Sequence, residues 1–70
     1  MKYKPGDYVK FIIAGNEYLI TDIEEENGRY ILQCIEGTGF SGPYTIAYVD
    51  NFTKKLDPFI HAVMEVTNEI

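Results

Sequence analysis

Seventy residues make one domain's length of chain, with room for a single hydrophobic core and no second domain. Eleven acids against six bases leave a formal net charge of −5, which repels nucleic acid at long range, while 46% hydrophobic residues exclude an intrinsically disordered composition. One cysteine, Cys34, excludes an intrachain disulfide and predicts a reducing, cytoplasmic compartment; the start of the chain lacks a signal-peptide pattern, and no apolar run has membrane-spanning length.

In chain order, Pro5-Gly6-Asp7 opens the first element, and Tyr8 to Ile13 carries aromatic and β-branched residues at strand density. Gly15-Asn16 predicts a two-residue turn into a second strand, Glu17 to Ile23. Alternation puts Val9, Phe11 and Ile13 on one face of the first strand and Leu19, Thr21 and Ile23 on one face of the second, and one such face builds the core. Glu24-Glu25-Glu26 is too acidic to bury and runs into Asn27-Gly28, a hairpin turn before a third strand, Arg29 to Ile35. Residues 37–43 hold three glycines and a proline and predict an irregular loop presenting Phe40. Tyr44 to Val49 reads as a fourth strand, Asp50-Asn51 as a turn or single helical turn, and Phe52 to Leu56 as a short fifth strand.

Two patterns compete in the tail. Asp57-Pro58 is a helix-start signature, and Phe59, Ile60, Val63, Met64 and Thr67 fall at helical spacing. Ile60, Ala62, Met64 and Val66 alternate as in a last strand. The helix is preferred.

Pro5-Gly6-Asp7-Tyr8-Val9, the hairpin into Tyr18-Leu19-Ile20-Thr21-Asp22-Ile23, the Asn27-Gly28 turn, Arg29-Tyr30-Ile31-Leu32 and the late Val49-Asp50-Asn51-Phe52 together resemble a prokaryotic or phage Src-homology-3-like small β-barrel, from Lys4 to Leu56. The resemblance implies a mainly β fold: a small barrel of four to five antiparallel strands, with residues 57–70 as a tail element. The first hairpin is too tight for the long ligand loop of eukaryotic signalling domains and the chain has no Trp, so a proline-peptide groove is not expected. Similarity to Tudor-type barrels implies a cage for a cationic side chain, formed by Tyr8, Tyr44, Tyr48 and Phe52 with Asp50 adding charge. The competing account of these rings is that they fill a small core.

The reactive inventory is thin: His61, Cys34 and Ser41. Cys34 lies mid-strand, where a small core hydrophobe is the ordinary use, and His61 has no second ligand at metal spacing. The acids from Asp22 to Glu26 read as a solvated turn, and Gly37, Gly39 and Gly42 lack the Lys-Ser/Thr ending of a phosphate loop. A non-enzymatic protein-interaction module is therefore expected, without metal or cofactor. Its expected partner-binding residues are Tyr8, Phe40, Tyr44, Tyr48, Asp50 and Phe52, the partner being a protein of unknown identity. The apolar Phe59, Ile60, Val63 and Met64 point to a homodimer. The alternative is a small barrel binding nucleic acid or ribonucleoprotein through a local patch of Lys2, Lys4, Lys10, Lys54 and Lys55.

Overall fold

The computed structural model describes residues 1–57 and contains β1 (Tyr8–Phe11), β2 (Glu17–Glu24), β3 (Arg29–Glu36), β4 (Gly42–Thr45), α1 (Ile46–Phe52) and β5 (Thr53–Leu56). The fold is mainly β, as the strand patterns predict. The five strands form one antiparallel sheet in the order β4-β3-β2-β1-β5. The expected closed barrel is not formed among these residues, because β4 and β5 remain the two edges. The chain between them is spent on α1, whose seven residues rise only about 10 Å and connect the edges without hydrogen-bonding them to each other. The tail's helix-or-strand alternative and the self-association residues Phe59, Ile60, Val63 and Met64 lie outside the described residues.

One face of the sheet carries the core. Val9, Phe11, Tyr18, Ile20, Tyr30 and Leu32 are buried there, joined by Tyr3 from the N-terminal segment and Val49 from α1. On β2 the inward set is Tyr18 and Ile20, so Leu19 and Thr21 face away. A register shift follows: Ile20 pairs with Leu32 but Asp22 pairs with Ile31, leaving Thr21 as an extra residue. The shift changes the phase of alternation, and Ile23 packs on the core together with Ile20. Thr21 ties off the irregularity by donating its hydroxyl to the Ile31 carbonyl at 3.2 Å.

Two expectations about element ends need correction. The first strand stops at Phe11, and the connection to β2 is the five residues 12–16 rather than a two-residue turn. Gly15, at φ +80°, donates to the Phe11 carbonyl at 2.8 Å, and this helix-like closure takes Ile12 and Ile13 out of the sheet. The fourth strand stops at Thr45, and residues 46–52 are helical. Here a period of three to four satisfies burial better than a period of two: Ile46 packs on the core and Val49, one turn on, is fully buried. The turn at Glu25–Asn27 is 3-10 and closes on Gly28 in the left-handed region, as the Asn-Gly pair predicts.

Candidate functional site: an aromatic groove

Phe11 ends β1 at the rim of the core, and four further rings assemble around it. Its centroid lies 5.4 Å from Tyr18, 5.9 Å from Tyr44 and 5.2 Å from Tyr48, and Tyr48 in turn lies 5.3 Å from Phe52. These separations and tilts are those of favourable aromatic pairs. Tyr48 and Phe52 are four residues apart on α1 and so share a helix face. They are about half exposed, at 46% and 49%, while Phe11 beneath them is buried.

The rings floor a groove in two adjoining parts. One part, about 280 Å³, is lined by Phe11, Ile13, Ala14, Tyr48 and Phe52. The other, about 270 Å³, continues from Phe11, Ala14 and Tyr48 between the β1–β2 and β3–β4 loops, where Asn16, Tyr18, Gly39, Phe40 and Tyr44 line it. Ile13 and Phe40 stand at its rims, 92% and 84% exposed, so large apolar side chains face solvent at both ends.

Local chemistry explains why the groove holds its shape. The Tyr44 hydroxyl donates to the Phe40 carbonyl at 2.7 Å and lies 3.4 Å from the Tyr18 hydroxyl. Burial, followed by the neighbouring Tyr18 hydroxyl, pushes the Tyr44 phenol up to about 12. The Asn16 side chain accepts from the Thr38 amide across the two loops. A Cβ at Gly39 would collide with the Tyr18 hydroxyl, so glycine there lets the β3–β4 loop close on that ring without displacing it. On the far side of α1, Tyr30 donates to Asp50 at 2.7 Å and accepts from the Lys2 and Tyr3 amides. Burial, and then the bond to Asp50, raises the Tyr30 phenol. Tyr3 donates to the Thr53 carbonyl at 3.1 Å, and Thr53 Oγ1 also meets the Val49 carbonyl, so the start of the chain clamps both the body and the end of α1.

Of the sequence-predicted site residues, Phe40, Tyr44, Tyr48 and Phe52 come together in this groove. Tyr8 does not: it alternates with Val9 onto the opposite sheet face, paired with Leu19 and Leu56. Asp50 is engaged by Tyr30 and is not among the lining residues. A cation cage of the expected composition is therefore not assembled. Sequence reasoning placed Phe11 and Ile13 in a strand and missed them as lining; the five-residue turn that redirects Ile13 was masked by its own β-branched residues. Cys34 is half-buried against the core, with its amide bonded to Ser41 Oγ at 2.9 Å.

The lysines do not converge on the groove. Lys10 and Lys54 are cross-strand neighbours on the outer face, Lys55 pairs with Asp7 at 3.5 Å, and Lys2 reaches the Asp50 carbonyl. Among the described residues no three His, Cys, Asp or Glu side chains gather as metal ligands, and no helix is long and apolar enough to cross a membrane. Compared with known protein families, with characterised proteins and with solved structures, the chain matches none.

Proposed function

We propose that this chain is a non-enzymatic protein-interaction module that holds apolar side chains of a partner peptide in the groove between α1 and the two loops. The observation that carries this is the continuous ring surface of Phe11, Tyr48 and Phe52, flanked by solvent-exposed Ile13 and Phe40. Exposed apolar side chains clustered at a concavity mark docking sites, and rigid rings bind at low entropic cost. The companion fold proposal is an incompletely closed Src-homology-3-like barrel, supported by the three-strand meander β2-β3-β4, the return of β5 to β1, and the single short helix before β5.

Among the described residues the lining contains no carboxylate, which favours an apolar ligand over an ammonium or guanidinium group. Nucleic acid is the less supported alternative: stacking requires a basic track beside the rings, whereas Lys10 and Lys54 lie on the other sheet face. Selection of random peptides on the full chain, counter-screened on Phe52→Asp, tests the proposal. Apolar consensus peptides that bind the parent chain at least tenfold more tightly than the variant are the expected result. Consensus peptides rich in Lys or Arg, or binding indifferent to Phe52, would refute it.

A further inference from the structure

Resting on the reading of the groove as a protein-docking surface, we infer that it docks a second copy of this chain, face to face, with the Phe40 ring of each copy seated in the groove of the other. Three observations carry it. The first is area. Ile13, Phe40, Tyr48 and Phe52 are 92%, 84%, 46% and 49% exposed around one concavity. At about 200 Å² for a large side chain, they leave on the order of 500 Å² of apolar surface there. A standard interface takes about 800 Å² from each partner, roughly 60% of it non-polar, so one half of a dimer needs about 500 Å² of apolar surface. The groove face supplies that share, whereas one peptide side chain covers a fraction of it.

The second is shape. Phe40 projects at one end of the groove and Ile13 at the other, and the two hollows between them share Phe11, Ala14 and Tyr48. Pairing of identical faces about a two-fold axis requires each projection to meet a hollow on the other copy. With the axis near Ala14 and Tyr48, Phe40 of one copy falls over the hollow of about 280 Å³ between Ile13 and Phe52 of the other, and symmetry repeats the contact. The Phe40 carbonyl accepts from the Tyr44 hydroxyl at 2.7 Å, so the ring is presented from an anchored backbone and loses little freedom on docking.

The third is charge. Each copy carries a net charge of −5, so two copies repel wherever acids meet. Among the described residues no charged side chain lines either hollow, so this face brings apolar atoms together without juxtaposing like charges. Association through it should tighten with salt, which screens the repulsion between the remaining surfaces. A peptide and the second copy exclude each other from the groove, and dimerisation sets the threshold for peptide binding.

Sedimentation equilibrium of the full chain tests this, with Phe40→Asp, Ile13→Asp and, on the outer face, Gln33→Ala; unchanged Val9 and Tyr30 resonances certify folding of each variant. The parent should approach twice its 8.0 kDa mass with a dissociation constant on the order of 10–100 μM, the weak end expected of a small interface. Phe40→Asp and Ile13→Asp should each weaken association at least about tenfold, and Gln33→Ala should leave it unchanged. Raising salt from about 50 to 500 mM should strengthen the parent's association. A parent still monomeric at about 1 mM, association indifferent to Phe40→Asp, or association weakened by salt overturns the inference. In each of those cases the peptide reading stands if selected peptides still bind the parent chain. If Phe40→Asp abolishes the dimer and no selected peptide binds parent or variant, the second copy remains the groove's occupant and the peptide reading falls.

Discussion

Removing the Tyr30 hydroxyl should cost this protein a large fraction of its stability. Tyr30 is fully buried, and its oxygen accepts from the Tyr3 amide at 3.1 Å and the Lys2 amide at 3.2 Å while donating to Asp50 at 2.7 Å. In Tyr30→Phe, two amides lose about 1 kcal/mol each and the carboxylate loses a charge-assisted bond of about 1.5–3 kcal/mol. Partial resolvation of Lys2 and Asp50, both only part-buried, returns some of this and leaves a net loss of about 3 kcal/mol. For a chain of this length, whole stability is on the order of 4–10 kcal/mol, so the loss is a large fraction of it. Urea denaturation should show the midpoint falling by about 2–3 M at an m-value near 1 kcal/mol/M. Because the same oxygen fixes α1, hydrogen exchange at the Tyr3 amide should accelerate and the Tyr48 and Phe52 ring signals should broaden. A loss below about 0.5 kcal/mol, the range of unremarkable surface changes, would refute the claim that this hydroxyl anchors the helix.

Further outcomes are open to direct measurement. Gly39→Ala forces a Cβ against the Tyr18 hydroxyl and should cost about 1–3 kcal/mol by thermal or urea unfolding, with disturbed Tyr18 and Tyr44 ring shifts. Gly28→Ala places a Cβ in the left-handed region at φ +64° with open space around it, so backbone cost alone applies, about 1 kcal/mol, and Gly28→Asn should recover part of it. Tyr44 and Tyr30 both hold their protons above the ordinary tyrosine value, so the stability they contribute is intact below about pH 10 and lost as pH climbs beyond it, since the unfolded chain releases those protons first. Absorbance titration at alkaline pH should show late-ionising phenols, one near pH 12 that disappears in Tyr44→Phe.

Strand identity was legible wherever one residue pattern dominated. Val9 and Phe11, and the Asn27-Gly28 turn, behave as alternation and left-handed tolerance require. What escaped was set by contacts distant in sequence. Ile12 and Ile13 have strand propensity, yet the Gly15 closure and the bond from the Ile12 amide to the Phe52 carbonyl place them in a turn. Residues 46–49 have β-branched and aromatic content, yet burial of Ile46 and Val49 against the sheet and the clamp from Tyr3 and Tyr30 select a helix. The inward residues of β2 were hidden by the extra residue at Thr21, which no local pattern announces. In the site, Tyr44, Tyr48 and Phe52 stood out as surplus aromatics, whereas Phe11 looked like ordinary core and Tyr8 shared their composition without sharing their face.

Chemical-shift mapping of the full chain with a selected apolar peptide probes the binding surface most directly. The largest changes should fall on Phe11, Ile13, Tyr48 and Phe52, and Gln33→Ala on the outer face should leave affinity unchanged. Maximal changes around Lys10, Lys54 and Tyr8, with silent α1 rings, would contradict the account.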